Sequence, residues 1–292
     1  IYGLSKAIEA MKTIYQTPML YGRLYNQFPK LNKHMLLYSG PSMGKTLLMK
    51  HAERELNLGS RVTWRHINSL ALISKYTGES ERNVRKLFAD ARSDLEKNSQ
   101  MISSVGNNWR DNGSSEDRSL CFIVIDNIHT LLPSRSSSNG ISDRLVNTFL
   151  TELDGVDSAS LNEGIVVIGV SNRPDLLDPA LVRPGRLENK VKIDHSSIDW
   201  NEVIRRGGED YLGFDLAKEM VEDIKELIFS RKVSVGAFLG ALYEVKLAGE
   251  PEIAVFSEMQ SRLKDENESF NEFERCFRKF DGTEEDRLLA GE

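Results

Sequence analysis

Gly44, Lys45 and Thr46 form a short run of the residue types that bind phosphate, and they follow a turn of small residues. That turn comes directly after an apolar run at residues 35–38, and a helical pattern comes next. When a buried strand leads through such a turn into a helix, backbone N–H groups and the helix dipole hold phosphate oxygens. The lysine then reaches the outer phosphates of a nucleotide, and the threonine hydroxyl binds magnesium. The spacing therefore predicts a phosphate-binding loop for a nucleotide with Mg²⁺.

The loop departs from the strict spacing of such loops at two positions. Five residues before Gly44, where that spacing has glycine, the chain has Ser39, and Gly40 stands one place later. Ser42 occupies another position that often holds glycine. An ordinary surface turn is the alternative interpretation. The residues predicted to contact the nucleotide here are Gly40, Pro41, Ser42, Met43, Gly44, Lys45, Thr46 and Leu47.

Asp126 and Asn127 follow a second apolar run, at residues 120–125. An aspartate at the carboxyl end of a buried strand holds the magnesium shell opposite a phosphate loop, so Thr46 and Asp126 are the predicted magnesium ligands. The amide of Asn127 can position a water molecule by hydrogen bonding, but it cannot accept the proton of that water. The alternative is a strand that merely ends in turn-forming residues.

Short apolar runs alternate with longer helical patterns over the first two thirds of the chain. Continuous apolar runs are typical of strands buried on both faces, as in a parallel sheet. Their alternation with helices predicts an α/β fold with a five-stranded parallel sheet. The predicted strands cover residues 35–38, 62–67, 120–125, 165–170 and 191–193, and the predicted helices between them cover residues 46–56, 81–97 and 142–153.

The pattern changes near residue 195, after which no strong strand run occurs. We therefore predict an α/β nucleotide-binding domain over residues 1–195 and a small all-helical domain over residues 196–292. A helical extension of a single domain is the alternative. The helices predicted there cover residues 215–229, 235–248, 253–263 and 270–280.

Two polar stretches, residues 98–118 and 134–140, are predicted surface loops because they are rich in Ser, Asn and Gly. Cys121 is expected to pack in the core, since it lies in a buried strand, and Cys276 in a helix beside phenylalanines. The five histidines show no metal-ligand spacing, and we assign them no role.

Composition excludes several classes of protein. The 292 residues carry a net charge of −6, whereas a general nucleic-acid coat is basic. No uninterrupted apolar run reaches the roughly 18–20 residues that cross a bilayer. Two cysteines exclude a disulfide scaffold and fit the reducing cytosol. The chain begins at Ile1 without a signal-peptide pattern, and we interpret it as a fragment of a longer, cytoplasmic protein.

The order and spacing of five motifs resemble the AAA ATPase module. The resemblance covers residues 1–193 strongly and the helical remainder loosely. Within the family, the motifs are most similar to the first ATPase module of N-ethylmaleimide-sensitive fusion proteins, with peroxisomal and Cdc48-type ATPases next. The motifs lie at residues 36–46, 75–90, 125–127, 169–175 and 178–188.

The resemblance implies a ligand, a strand order and several catalytic roles. The ligand is ATP or ADP with Mg²⁺, the strand order is 5-1-4-3-2, and a helical lid follows the α/β domain. Asn172 is similar in position to the sensor that contacts the γ-phosphate and helps to place the attacking water. The family usually has a glutamate where this chain has Asn127.

Arg183 and Arg186 resemble the arginine fingers of the family, which enter the nucleotide site of the neighbouring subunit. A guanidinium neutralises the charge that develops on a transferring phosphoryl group, which agrees with that role. Surface salt bridges are the alternative for both arginines.

The resemblance also implies contacts to the base of the nucleotide. Tyr2 and Gly3 resemble the segment whose backbone meets the adenine. Gly236 and Ala237 resemble the part of the lid near the adenine and ribose.

Lys75 and Tyr76 resemble the loop that lines the central pore of the family's rings. An aromatic ring beside a cation can grip extended peptide of any sequence. An ordinary exposed Lys-Tyr pair is the alternative.

Two functions remain open from the resemblance. The first is a mechanoenzyme, a homo- or hetero-oligomeric ring and most simply a hexamer, that uses ATP hydrolysis to remodel or disassemble protein complexes, with vesicle fusion as one setting. Its partners would be a protein substrate and an adaptor that brings it to membranes, and no nucleic acid. The second is a nucleotide-binding, hydrolysis-deficient scaffold or regulatory subunit of such a ring. Asn127 with the loop serines favours the second function. The residues that favour the first are Lys45, Thr46, Asp126, Asn172, Arg183 and Arg186.

Overall fold

The computed structural model describes residues 3–20, 34–56, 62–76, 78–105, 119–134, 140–155, 164–194, 197–212, 218–231, 233–248, 260–261 and 280. The chain divides into two compact units. The sheet unit comprises Ala10–Tyr38 and Lys50–Val191, and the loop unit comprises Ile1–Glu9, Ser39–Met49 and Lys192–Glu292. The domain boundary that we predict at residue 195 stays a prediction.

Strands and helices alternate along the chain, as the sequence predicts. The strands are β1 (Met35–Ser39), β2 (Val62–Asn68), β3 (Leu120–Asp126), β4 (Ile165–Ser171) and β5 (Asn189–Ile193). The described α-helices are α1 (Ser5–Leu20), α2 (Lys45–Leu56), α3 (Ser69–Leu72), α4 (Glu79–Val105), α5 (Ile128–Leu131), α6 (Gly140–Asp154), α7 (Trp200–Gly207), α8 (Lys218–Arg231) and α9 (Val235–Ala248).

The five strands form one parallel sheet in the order β2-β3-β4-β1-β5, which confirms the expected order and fold class. In the register of the sheet, Asn68 pairs with Asp126 and Tyr38 pairs with Ser171. Because parallel strands run in the same direction, β1, β3 and β4 end at the same edge. This edge is where chemistry-bearing residues gather in parallel sheets.

The core of the sheet unit lies around β3 and β4, whose apolar residues are buried without alternation. Phe88 of α4 meets Phe149 of α6 edge to face, with ring centroids 5.7 Å apart. Trp64 stacks on Phe122 at 4.3 Å. The buried rings of Phe88, Phe122 and Phe149 each contribute about 1.5–3 kcal/mol. Cys121 is buried as predicted, and loss of solvation raises the pKa of its thiol to about 12, so the thiol stays protonated and unreactive at neutral pH.

Helix α4 is longer than the sequence predicts, because it runs from Glu79 to Val105. The prediction of a surface loop was therefore wrong for residues 98–105, and residues 106–118 lie outside the described residues. Asn98 explains part of the difference, since its side-chain amide donates to Thr63 Oγ1 at 2.9 Å and holds the helix against β2. Of the second predicted loop, residues 135–139 lie outside the described residues, and Gly140 begins α6.

Helices α1 and α7 are not among those that the sequence predicts, whereas α8 and α9 agree with the predicted ranges. Among the described side chains of α1, Ala7 and Met11 are buried one turn apart, which is a weak periodic signal. The two later predicted helices lie outside the described residues except at 260–261 and 280, which are helical, and Cys276 lies outside them too. No helix in the described part of the chain is both long and apolar enough to span a membrane.

Candidate functional site

Lys45 lies at the first position of α2, and its side chain is enclosed by the predicted phosphate loop. Only 8% of Lys45 is exposed. Its ammonium donates to the Ser39 hydroxyl at 2.8 Å, to the Gly40 carbonyl at 2.6 Å and to the Ser39 carbonyl at 3.2 Å. The loop therefore concentrates one positive charge at a helix start, where the first N–H groups have no partner within the helix.

The departures from the strict loop pattern have defined structural consequences. The Ser39 hydroxyl bonds to Lys45 and also donates to the Gly40 carbonyl at 2.8 Å, so this serine is part of the lysine's surroundings. Ser42 adopts the left-handed backbone conformation that glycine favours, with φ of 55°. Gly44 is left-handed too, with φ of 88°. The loop thus keeps a turned backbone, a buried ammonium and an exposed Thr46 hydroxyl, and these groups fit nucleotide phosphates with Mg²⁺.

Gly236 of α9 packs closely on the loop within the loop unit. Its N–H donates to the Ser42 carbonyl at 2.9 Å. A Cβ placed on Gly236 would lie 2.8 Å from Ser42 Cβ, so only glycine allows this approach. The next residue, Ala237, donates its N–H to Ser234 Oγ at 3.2 Å. Of the two predicted lid residues, Gly236 therefore contacts the phosphate loop itself.

Gly3 has both backbone groups bound to the region around the start of α7. Its N–H donates to Glu202 Oε2 at 3.0 Å, and its carbonyl accepts the Asp199 N–H at 2.9 Å. Tyr2, its predicted companion at the base, lies outside the described residues. The remaining predicted loop contacts differ in exposure: Met43 is buried, Pro41 is half-buried and Leu47 is exposed.

Asp126 and Asn127 form a tight turn at the carboxyl end of β3. Asn127 has φ of 54° and ψ of 42°, a left-handed conformation that asparagine adopts more readily than most residues. Its N–H donates to Asp126 Oδ1 at 3.0 Å. Its carbonyl accepts the Thr130 N–H at 2.9 Å and the Thr130 hydroxyl at 2.9 Å. One oxygen of the Asp126 carboxylate thus has an intrachain donor.

Asn172 follows the last residue of β4 and carries an unsatisfied acceptor. Its Oδ1 is buried, and it has no hydrogen-bond partner among the residues that the structure describes. Buried polar atoms are almost always paired, so an orphaned oxygen at this edge of the sheet indicates a missing partner such as water or a ligand. The adjacent Ser171 hydroxyl lies 3.0 Å from His129 Nδ1. The spacing of the histidines gives no signal for His129, because its contact with Ser171 is made only in the fold.

Arg183 and Arg186, predicted to act alike, have different surroundings. Arg186 forms a two-pronged ion pair with Asp154, with Nε–Oδ1 at 2.8 Å and Nη2–Oδ2 at 2.7 Å, and its Nη1 donates to the Ala180 carbonyl at 2.7 Å. The bound carboxylate of Asp154 raises the pKa of Arg186. The side chain of Arg183 is exposed, and its backbone carbonyl accepts a hydrogen bond from the Arg186 N–H at 3.1 Å. Arg186 is therefore held by an ion pair within its own chain, whereas the side chain of Arg183 is exposed to solvent.

Lys75 and Tyr76 lie in the loop between α3 and α4, and both are exposed, Tyr76 by 78%. Backbone contacts shape this loop without covering the aromatic ring. Tyr76 N–H donates to Ser74 Oγ at 3.2 Å, and Ser74 N–H donates to the buried Ser80 Oγ at 2.8 Å. The loop therefore presents a large apolar side chain to solvent on a held backbone.

A family model for the ATPase family associated with various cellular activities (AAA) matches residues 35–195, which is more than half of the chain. The chain belongs to the AAA ATPase family. The fold and the edge of the sheet described above are those of its α/β module, a P-loop NTPase domain. The family assignment made from the motifs is confirmed.

Curated relatives of this AAA chain act in different processes. It is 32% identical over 241 residues to the peroxisomal ATPase pex6 of Schizosaccharomyces pombe, covering 74% of this chain and 22% of the relative. It is 38% identical over 164 residues to the vesicular-fusion protein sec18 of the same yeast, covering 55% and 18%. A Bifidobacterium adolescentis AAA ATPase forming ring-shaped complexes is 33% identical over 235 residues, covering 78% and 40%. The chain spans less than half the length of each.

Proposed function

We propose that this chain is the ATP-hydrolysing module of a ring that remodels or disassembles protein complexes. The observation that carries the proposal is the enclosure of Lys45 by loop oxygens at the start of α2, with only 8% of the residue exposed. A buried ammonium facing its own loop carbonyls gains a stronger partner when it faces phosphate. The relatives named above include an ATPase that forms ring-shaped complexes and one that acts in vesicular fusion.

Each predicted site residue then has one task. Lys45 holds the outer phosphates, Thr46 and Asp126 bind magnesium, and Asn172 with Asn127 orients the attacking water. ATP with Mg²⁺ supplies the transferable phosphoryl group and neutralises part of its charge when bound. Gly3 and Gly236 shape the base end, because their backbones hold the start of α7 and the phosphate loop. Hydrolysis at this site is slow, because neither amide accepts a proton.

The ring arrangement rests on Arg183, whose side chain is exposed. We propose that Arg183 enters the neighbouring subunit's site while Arg186, tied to Asp154, holds the segment that carries it. Subunits with Arg183→Ala, mixed with subunits with Lys45→Ala, should retain some active interfaces, since each defect removes a different side of a site. If the mixture is as inactive as each variant alone at every ratio, the arginine does not act between subunits.

Substrate contact rests on the exposure of Tyr76. We propose that Tyr76 and Lys75 grip extended protein segments in the cytoplasm, at membranes where adaptors recruit the ring. Tyr76→Ala should then abolish remodelling of a substrate and leave ATP affinity unchanged. A tenfold loss of ATP affinity, about 1.4 kcal/mol, would exclude this role.

The experiment that tests the proposal is single-turnover ATP hydrolysis by the assembled wild-type protein at saturating ATP and Mg²⁺. Phosphate release that disappears in Lys45→Ala and persists in Lys50→Ala supports it. Lys50 is an exposed lysine on the same helix, so it is a matched control for loss of charge.

A hydrolysis-deficient ring subunit is the second candidate, and the Asn127 turn favours it. Asn127 provides no base, and its N–H occupies one oxygen of Asp126. A wild-type protein that binds ATP tightly and releases no phosphate would establish this second function.

A further inference from the structure

The carboxyl end of β4 has a buried hydroxyl at its centre. Ser171 is fully buried, with 0% exposure, and is in register with Tyr38 of β1. Its Oγ accepts the N–H of Arg173 at 3.1 Å. Asn172, with its unpartnered buried Oδ1, lies between these two residues and is therefore positioned by them.

The same hydroxyl binds the turn that follows β3. His129 Nδ1 lies 3.0 Å from Ser171 Oγ, and His129 is two residues after Asn127. Ile128 of α5 packs closely on Gly169 of β4. A Cβ placed on Gly169 would lie only 2.9 Å from Ile128 Cδ1, so the helix lies directly beside this strand. A single serine hydroxyl thus joins the segments that carry Asn127 and Asn172.

The hydrogen bond between His129 and Ser171 matters because both side chains assigned to the attacking water are amides. Without a base, the rate depends on how accurately the water is held, and a displacement of about 1 Å can cost roughly 100-fold. Beyond Asn172, Arg173 forms a two-pronged pair with Asp175, at 3.1 Å for each contact, which stiffens the chain further. The His129–Ser171 contact is a side-chain hydrogen bond between the two amide-bearing segments.

We propose that His129 is a positioning residue for ATP hydrolysis, acting through Ser171 on the placement of Asn172 relative to Asn127. The inference rests on the proposed hydrolytic function. His129 touches no reacting atom in this role. Its contribution is therefore to kcat, while binding of ATP depends on other residues.

The test compares three substitutions of His129 in the assembled protein by single-turnover hydrolysis and by ATP binding. His129→Leu removes the hydrogen bond and should lower kcat at least about tenfold with KM within about twofold. His129→Asn places a polar atom where Nδ1 stands and should restore most of the rate. His129→Gln reaches to the position of Nε2 instead and should not restore it.

A double-mutant cycle and a control complete the experiment. Ser171→Ala should be at least as slow as His129→Leu, because it also removes the acceptor of the Arg173 N–H. The double variant should be no slower than Ser171→Ala, since His129→Leu then has no further bond to remove. His66→Leu is the matched control, because His66 also has a side-chain partner, Glu53 at 3.1 Å, but lies on β2 away from β4. It should keep the wild-type rate.

Four results would overturn the inference. Equal rates for wild type and His129→Leu would show that the contact is idle, and rescue by Gln equal to rescue by Asn would show that Nδ1 is not the atom involved. Defects that multiply in the double variant would show that His129 and Ser171 act independently. A wild-type protein that binds ATP but never hydrolyses it would reject the hydrolytic function and this role together.

Discussion

The phosphate loop and the turn after β3 each contain a non-glycine residue in the left-handed conformation, Ser42 with φ of 55° and Asn127 with φ of 54°. These are the two such residues in the part of the chain that the structure describes. Asparagine tolerates this conformation well, whereas serine rarely adopts it. The conformation is therefore strained in the loop and relaxed in the turn.

The two departures from the family pattern, Ser42 and Asn127, therefore have different costs. At Ser42 the cost is structural, since the backbone stays turned and the site keeps its charge and its hydrogen bonds. At Asn127 the backbone is satisfied, and what is missing is chemical, namely a group that accepts a proton. The departure at Ser42 thus affects the stability of the loop, and the departure at Asn127 affects hydrolysis.

Restoring an acid at position 127 should give the largest effect. General-base catalysis contributes about 10²–10⁴-fold, so Asn127→Glu should raise single-turnover hydrolysis at least tenfold with little change in ATP affinity. The variant should also unfold at a lower temperature, because glutamate fits the left-handed backbone less well than asparagine. Asn127→Gln is the control that changes length without adding a base. Equal hydrolysis by wild type and Asn127→Glu would refute the missing-base explanation.

Removing the loop charge should give the next largest effect. Lys45→Ala deletes the ammonium that faces the loop oxygens, and a charged hydrogen bond contributes about 1.5–3 kcal/mol. ATP affinity measured by calorimetry should fall by about 10–100-fold. If neither wild type nor Asn127→Glu binds ATP in the same assay, the loop serines are the dominant defect and the comparison above is reversed.

Relieving the strain in the loop should give the smallest effect. Ser42→Gly should stabilise the fold by about 0.5–1 kcal/mol, since glycine adopts this backbone without steric cost but loses more entropy on folding. Thermal unfolding should shift upward by about 1–4 °C. Asn127→Gly, the matched change in the turn, should shift it less. An equal gain at both positions would show that the two conformations are equally strained.

Residue patterns alone predicted the five strands and helices α2, α4, α6, α8 and α9, but they did not predict α1, α3, α5 or α7. Apolar runs, continuous in β1, β3 and β4 and weaker in β2 and β5, marked the strands to within a few residues at each end, and the motif between β1 and α2 predicted the phosphate loop. These features are local, because a buried strand and a phosphate turn each need particular residues within about ten positions of one another. The strand order came from the family resemblance and not from the residues alone.

Tertiary structure decided which side chains act together. Arg183 and Arg186 look equivalent in sequence, and only the fold brings Asp154 to one of them. Ser39 departs from the usual loop pattern, yet its hydroxyl accepts a hydrogen bond from the Lys45 ammonium. His129 and Ser171 are 42 residues apart, and their contact exists because β3 and β4 are neighbours that end at the same edge of the sheet. Such pairings depend on long-range packing, which no local pattern of residue types records.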